Sequence, residues 1–224
     1  MNINEIAKLA GVSRATVSRY LNNGYVSEEK KKIIRKVIEE TGYQPSSQAQ
    51  MLRTKKTKLV GVILPKIDSN TISREVAGIS DILTKKGYQL ILANINNNIE
   101  EELKYLSLFK DNQVDGVIFI ATILTKQHRD MLKEYKVPIV LLGQRLEGYP
   151  CIFQDDQKAA MTLTEQMVKT GSKFGYITVT DKDEAVGRKR MSGVEEILSK
   201  NKIEFGSEYV KCGDFTLESG YEKA

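Results

Sequence analysis

The sequence predicts two architectures in one chain: a small all-α head carrying a helix-turn-helix, followed by an α/β body built on doubly wound parallel sheets. Three observations predict it. Residues 13–22 read SRATVSRYLN, a capped amphipathic segment placed just after a turn that contains Gly11. From Leu59 onward, short apolar runs alternate with amphipathic segments. The charge is also divided unevenly. Residues 1–58 carry 12 Lys/Arg against 5 Asp/Glu, whereas residues 59–224 carry 22 against 24, so the whole positive excess of a +5 chain lies in its first quarter. A basic head on a near-neutral body points to a polyanionic partner for the head alone.

Composition narrows the class. In 224 residues, 41% are hydrophobic and 28% charged, which fits a globular chain and excludes a collagen, a disordered polyelectrolyte and a disulfide mini-protein. Cys151 and Cys212 stand far apart and match no metal spacing, so reduced thiols are expected, with no metal and no cofactor. No apolar run approaches the roughly 20 residues that cross a bilayer. The start, MNINEIAKLAG, lacks the charged-then-apolar pattern of a signal peptide, and a cytoplasmic location is expected.

The head reads as three helices. The first runs from Asn4, as N-cap, to about Leu9, with Ile6 and Leu9 on its apolar face. Gly11 supplies a turn with positive φ. Ser13 caps the second, Arg14 to Leu21, whose inward set is Val17, Tyr20 and Leu21 and whose outward set is Arg14, Ala15, Ser18 and Arg19. Ser27 caps the third, Glu28 to about Thr41, with Ile33, Ile34, Val37 and Ile38 inward and Gly42 as its stop. Two helices joined by so short a turn form a helix-turn-helix, whose second member fits a DNA major groove. Arg14 and Arg19 can each donate two hydrogen bonds to guanine, and small Ala15 permits close approach to a thymine methyl. Ser13, Thr16 and Asn22 suit phosphate contacts.

The stretch from Ile3 to Thr57, with GVSRATVSRYLN at its centre, resembles the head of the LacI/GalR family of bacterial transcription regulators, and the resemblance continues over the whole chain. It implies that Arg14, Ala15 and Arg19, the first, second and sixth residues of the reading segment, meet the bases. It also implies a hinge helix, Ser46 to Arg53, after Tyr43-Gln44-Pro45. In the family this hinge folds only when paired on a palindromic operator. Ala49 would allow close pairing, and Leu52 followed by Arg53 would enter the minor groove. A leucine wedge unstacks a base step and bends the duplex, and so short a helix is unstable alone.

In the body, strands are expected at Leu59–Leu64, Tyr88–Ala93, Gly116–Ile120, Ile139–Leu142, Cys151–Phe153, Gly175–Val179 and about Tyr209–Lys211. Helices are expected near Ile72–Lys86, Ile99–Asn112, Lys126–Tyr135, Asp156–Thr170 and Gly187–Lys200. Such alternation gives a parallel sheet, whose ligands bind at the carboxyl ends of the strands. The resemblance implies two lobes of the periplasmic-sugar-binding-protein type with an effector between them. Attention therefore falls on Lys66, Asp68, Ser69 and Ile72 after the first strand, Gln144 and Arg145 after the fourth, Asp155 and Asp156 after the fifth, and Arg190 in the second lobe. Asp155 matches the aspartate of the family's Asp-Asn motif, and Arg190 matches the arginine of an Arg-x-x-Gly motif ending at Gly193. Asp156 replaces the usual Asn. Asp and Gln suit sugar hydroxyls, while Lys and Arg suit a phosphate, so a sugar or a sugar phosphate is the expected effector. VILPKIDS and CIFQDDQ are similar to runs in sucrose- and trehalose-operon repressors. Gln144, however, stands where trehalose-phosphate repressors carry an arginine.

The expected organisation is 1–45 head, 46–58 hinge and linker, 59–155 first lobe and 156–224 second lobe. That second lobe reads as incomplete at Ala224: the sequence is either a truncated product or a piece of a longer one, and poor stability with a weak or absent effector response is expected only if the chain ends there. No catalytic set appears, and His128, in a polar helix, is expected at the surface. The reading is a dimeric, nucleoid-associated regulator, most simply a repressor of a carbohydrate operon released by its effector; a purine-type corepressor would act in the opposite sense. The alternatives are a truncated operator binder that senses nothing and a small-molecule-binding protein of the sugar-binding fold.

Overall fold

The computed structural model describes residues 1–44, 55–111 and 114–224. The chain divides into two units, Met1–Thr57 and Lys58–Ala224.

Among the described residues, the first unit holds three helices: α1 (Ile3–Leu9), α2 (Arg14–Leu21) and α3 (Glu28–Thr41). α1 begins one residue earlier than predicted because Asn2, not Asn4, is its cap. Asn2 Oδ1 accepts from the backbone of Asn4 and Glu5, and the Glu5 carboxylate reaches back to the Asn2 N–H. Ile6, Ala7, Ala10, Val17, Val26 and Ile34 close the core. Two apolar expectations are corrected here. Leu9 is 59% exposed and Ile33 42% exposed. Three short helices have too little inner surface for every apolar residue, and Ile6 and Ile34 take the central positions. Gly11 and Gly42 both adopt φ near +61°, ending α1's turn and α3 as read from the sequence.

The second unit contains a five-stranded parallel sheet of β1 (Leu59–Leu64), β2 (Gln89–Asn94), β3 (Gly116–Ile120), β4 (Ile139–Leu142) and β5 (Cys151–Ile152), in the order β2-β1-β3-β4-β5. Val60 pairs with Leu90 on one side and Gly116 on the other. Its crossovers are α4 (Asn70–Lys85), α5 (Ile99–Lys110), α6 (Lys126–Lys133) and the loop before β5. Val60–Leu64 are buried throughout, as expected of a strand covered on both faces. Gly61 is flush against α5; a Cβ there would sit 2.6 Å from the Phe109 ring.

His128 is not at the surface. It is 0% exposed, stacked on Phe119, with Nδ1 2.7 Å from Thr125 Oγ1 and Nε2 3.0 Å from Glu102 Oε1 of α5. The polar run KQHRDMLK hides this because α6 buries only His128 and Leu132, and the carboxylate partner comes from another helix.

Beyond α7 (Asp156–Met167) a second parallel pair forms from β6 (Tyr176–Thr178) and β7 (Val210–Cys212), with Tyr176 opposite Val210. The helix predicted from Gly187 starts earlier, as a wide π-turn over Glu184–Lys189 that runs into α8 (Arg190–Lys200). Asp183 starts it, its Oδ1 accepting from the N–H of Ala185 and Val186. α8 lies tight on α7, since a Cβ at Gly193 would run into the Gln157 carbonyl. Ile177, Leu163 and Met167 remain exposed on this second layer. A final helix, α9 (Leu217–Lys223), is capped by Thr216.

Candidate functional site

In the head, the start of α2 is fixed by Ser13, whose Oγ accepts from the Thr16 N–H at 3.2 Å and lies 2.9 Å from Thr16 Oγ1. Val17 anchors the helix in the core, with Tyr20 and Leu21 packed against it. Arg14, Ala15 and Arg19 are left on the exposed side. Asn22 ends the helix with its side-chain amide on the Ser18 carbonyl, so it supports the helix as well as standing at its exposed end. The face is cationic and narrow, with a small residue between two arginines. That suits insertion between two walls of phosphate, with guanidinium groups able to pair with acceptors on a groove floor. The hinge residues Ala49, Leu52 and Arg53 lie outside the described residues.

In the body, a cleft of about 650 Å³ opens at the carboxyl ends of β1, β3, β4 and β5 and is closed on the far side by the π-turn and α8. This is the place where a parallel sheet gathers side chains from successive loops, and the volume is that of a small-molecule site. Six of the nine residues singled out from the sequence line it: Lys66, Ser69, Ile72, Gln144, Asp156 and Arg190. Ser69 also caps α4. Arg190 Nε donates to the buried Asp156 Oδ1 at 2.6 Å, joining the first turns of α7 and α8. Gln144 is buried, and its Nε2 donates at 2.8 Å both to the Thr122 carbonyl and to Asp183 Oδ1.

The other three residues do not line the cleft. Asp68 is exposed, 3.3 Å from Lys66 Nζ. Arg145 leans over the Phe153 ring at 6.0 Å. Asp155 caps α7, accepting from the Lys158 N–H at 3.1 Å. In compensation, the cleft holds residues not read from the sequence: Glu75, Asp183, Phe153 and Phe215. Glu75 had a legible signal, a carboxylate three residues after Ile72 on the stripe that continues through Val76 and Ile79. Burial pushes its carboxyl above the ordinary value of 4.5. Among the described residues, no group of three or more His, Cys, Asp or Glu is arranged to hold a metal ion, and no helix is long and apolar enough to cross a membrane.

Comparison with known proteins places both parts in a wider context. Residues 2–46 match the family model for bacterial regulatory proteins of the lacI family, and residues 57–224 match that for periplasmic binding proteins and the sugar binding domain of the LacI family. The sucrose operon repressor of Staphylococcus xylosus is 35% identical over 91% of this chain and 64% of its own length. Catabolite control protein A of Priestia megaterium is 34% identical over 99% of this chain and 68% of its own. The chain thus spans about two thirds of the length of these relatives. Among solved structures, the transcription regulator CcpA of Lactococcus lactis is 34% identical, covers 73% of this chain and 61% of its own, and superposes with a TM-score of 0.66. The lac repressor dimer bound to operator and the anti-inducer ONPF covers 99% of this chain and 68% of its own with a TM-score of 0.87; at 21% identity it shows a shared fold.

Proposed function

This chain belongs to the LacI family of bacterial regulatory proteins, and from that premise we propose that it is a sequence-specific DNA-binding regulator, a repressor of a carbohydrate-use operon released by a small sugar effector. The observation that carries the reading is the outward face of α2, where Arg14, Ala15 and Arg19 stand free of the core on a helix capped by Ser13.

In this reading Arg14 and Arg19 pair with guanine edges in the major groove, Ala15 lets the helix approach, and Ser13, Thr16 and Asn22 hold the phosphates. The basic surplus of residues 1–58 supplies the salt-dependent attraction. Two copies of the chain occupy inverted half-sites, and Ala49, Leu52 and Arg53 order in the minor groove between them. The body cleft takes the effector, with Lys66, Ser69, Ile72, Gln144, Asp156 and Arg190 as its wall; Asp68, Arg145 and Asp155 support that wall from outside. Release follows from differential affinity of the effector for two body conformations. The relatives are named as regulators, and no catalytic role is proposed.

Mobility shift on a palindromic operator and on a scrambled duplex, each with and without sugars, tests this. Arg19→Ala should cut the preference for operator over scrambled DNA by roughly ten- to a hundredfold while leaving sugar binding intact. Equal weakening on both duplexes would make Arg19 a phosphate contact and remove the direct-readout assignment.

A further inference from the structure

The charges around the body cleft are unevenly satisfied. Among the described residues that line it, the two cations both have carboxylate partners, Arg190 with Asp156 at 2.6 Å and Lys66 with Asp68 at 3.3 Å. The three carboxylates among those described residues do not all have partners. Asp156 holds Arg190, and Asp183 Oδ1 accepts from Gln144 Nε2 and from two backbone N–H groups. Glu75 is different. It projects from α4 into the same cleft, one turn after Ile72, with Oε2 withdrawn from solvent and no hydrogen-bond donor in reach among the described residues. A carboxylate can accept several hydrogen bonds, and a buried acceptor left without one is costly. Whatever fills the cleft, water or a ligand hydroxyl, can supply that donor.

We propose that Glu75 is a specificity-determining residue of this cleft, selecting an unphosphorylated polyhydroxyl ligand by accepting hydrogen bonds from its hydroxyls and disfavouring a phosphorylated one. The proposal rests on reading the cleft as the effector site and narrows the sugar or sugar phosphate expected from the sequence. A sugar hydroxyl brings the donor that Glu75 lacks. A phosphoryl group brings close to two negative charges and only acceptors, into a wall with two cations, both already paired, and three carboxylates. Phe153 and Phe215, in the same wall, offer apolar faces to the C–H side of a sugar ring.

Isothermal titration calorimetry on the 224-residue chain with sucrose, trehalose and cellobiose, and with the 6-phosphate of each, tests it. At least one neutral sugar should bind, and its 6-phosphate should bind roughly tenfold or more weakly. Glu75→Gln keeps the shape of the side chain; it should weaken the neutral sugar by about tenfold and reduce the discrimination against phosphate to about twofold. Glu75→Asp, with the carboxylate drawn back, should also weaken the neutral sugar but keep the discrimination. Tighter binding of a 6-phosphate by the wild type, or a Glu75→Gln variant with both affinities unchanged, overturns the proposal while leaving the cleft as the sugar site. Ile72→Trp fills the cleft from one turn earlier and should abolish binding. If it does not, or if no sugar of either form binds, the effector-site reading fails together with the proposal.

Discussion

Gln144→Leu isolates the contact that ties the two layers of the body together. The side chain is buried, and its one amide nitrogen bridges the Thr122 carbonyl at the end of β3 and the Asp183 carboxylate that starts the π-turn, each at 2.8 Å. Leucine fills nearly the same volume, so no cavity term enters. The hydrogen bond to the Asp183 carboxyl contributes about 1.5–3 kcal/mol and the one to the backbone carbonyl about 0.5–1.5 kcal/mol. Asp183 keeps its two backbone donors, so the carboxylate is weakened rather than stranded, and the net cost should be about 2–4 kcal/mol. Far-UV circular dichroism across a urea series reads it, the chain having no Trp. With a slope of about 2 kcal/mol per molar urea, the midpoint of the body should fall by about 1–2 M. A shift below about 0.3 M would mean that the bridge is replaced by water at no cost and that Gln144 does not hold the layers together.

Other perturbations follow the same logic. Desolvation raises the Glu75 carboxyl above 4.5 in the folded chain, so the stability attached to it is full below the unfolded value and is lost as pH rises through the folded value. Glu75→Gln should therefore melt higher than the wild type near pH 7, with the advantage shrinking toward about pH 4; an advantage that grows on acidification contradicts the assignment. His128→Ala or Glu102→Ala each strands the other buried partner and should cost about 3 kcal/mol or more, whereas the double variant should cost well under the sum, as a double-mutant cycle by urea unfolding would show. Gly193→Ala forces α8 away from the Gln157 carbonyl and should lower the melting temperature and loosen Arg190 from Asp156, read as weaker sugar binding; unchanged affinity and melting would mean that the helices adjust freely.

The parts legible in the sequence were those governed by local rules. β1 could be read because a strand buried on both faces must be an apolar run, and α2 because Ser13, Val17 and Leu21 fall at cap and helix spacing. Boundaries moved by one to three residues where a neighbouring polar side chain took the cap, as Asn2 did for α1 and Asp183 for the π-turn. What escaped depends on partners distant in sequence. His128 looked solvated because Glu102 stands 26 positions upstream on another helix. Asp155 and Arg145 follow strand ends as cleft residues should, but the first spends its carboxylate on the α7 cap and the second lies along Phe153. Glu75 broke an apolar stripe, and Asp183 preceded a helix whose true start the residue pattern did not mark.

The amide of Gln144 has one more consequence. The same side chain lines the cleft and latches one layer of the body to the other, so in the proposed effector site selectivity and posture share a component. On that reading, a replacement that retunes which molecule the cleft takes also removes the tie between the end of β3 and the start of the π-turn. If the cleft is the effector site proposed above, drift at this position would alter the identity of the effector and the response to it in a single step.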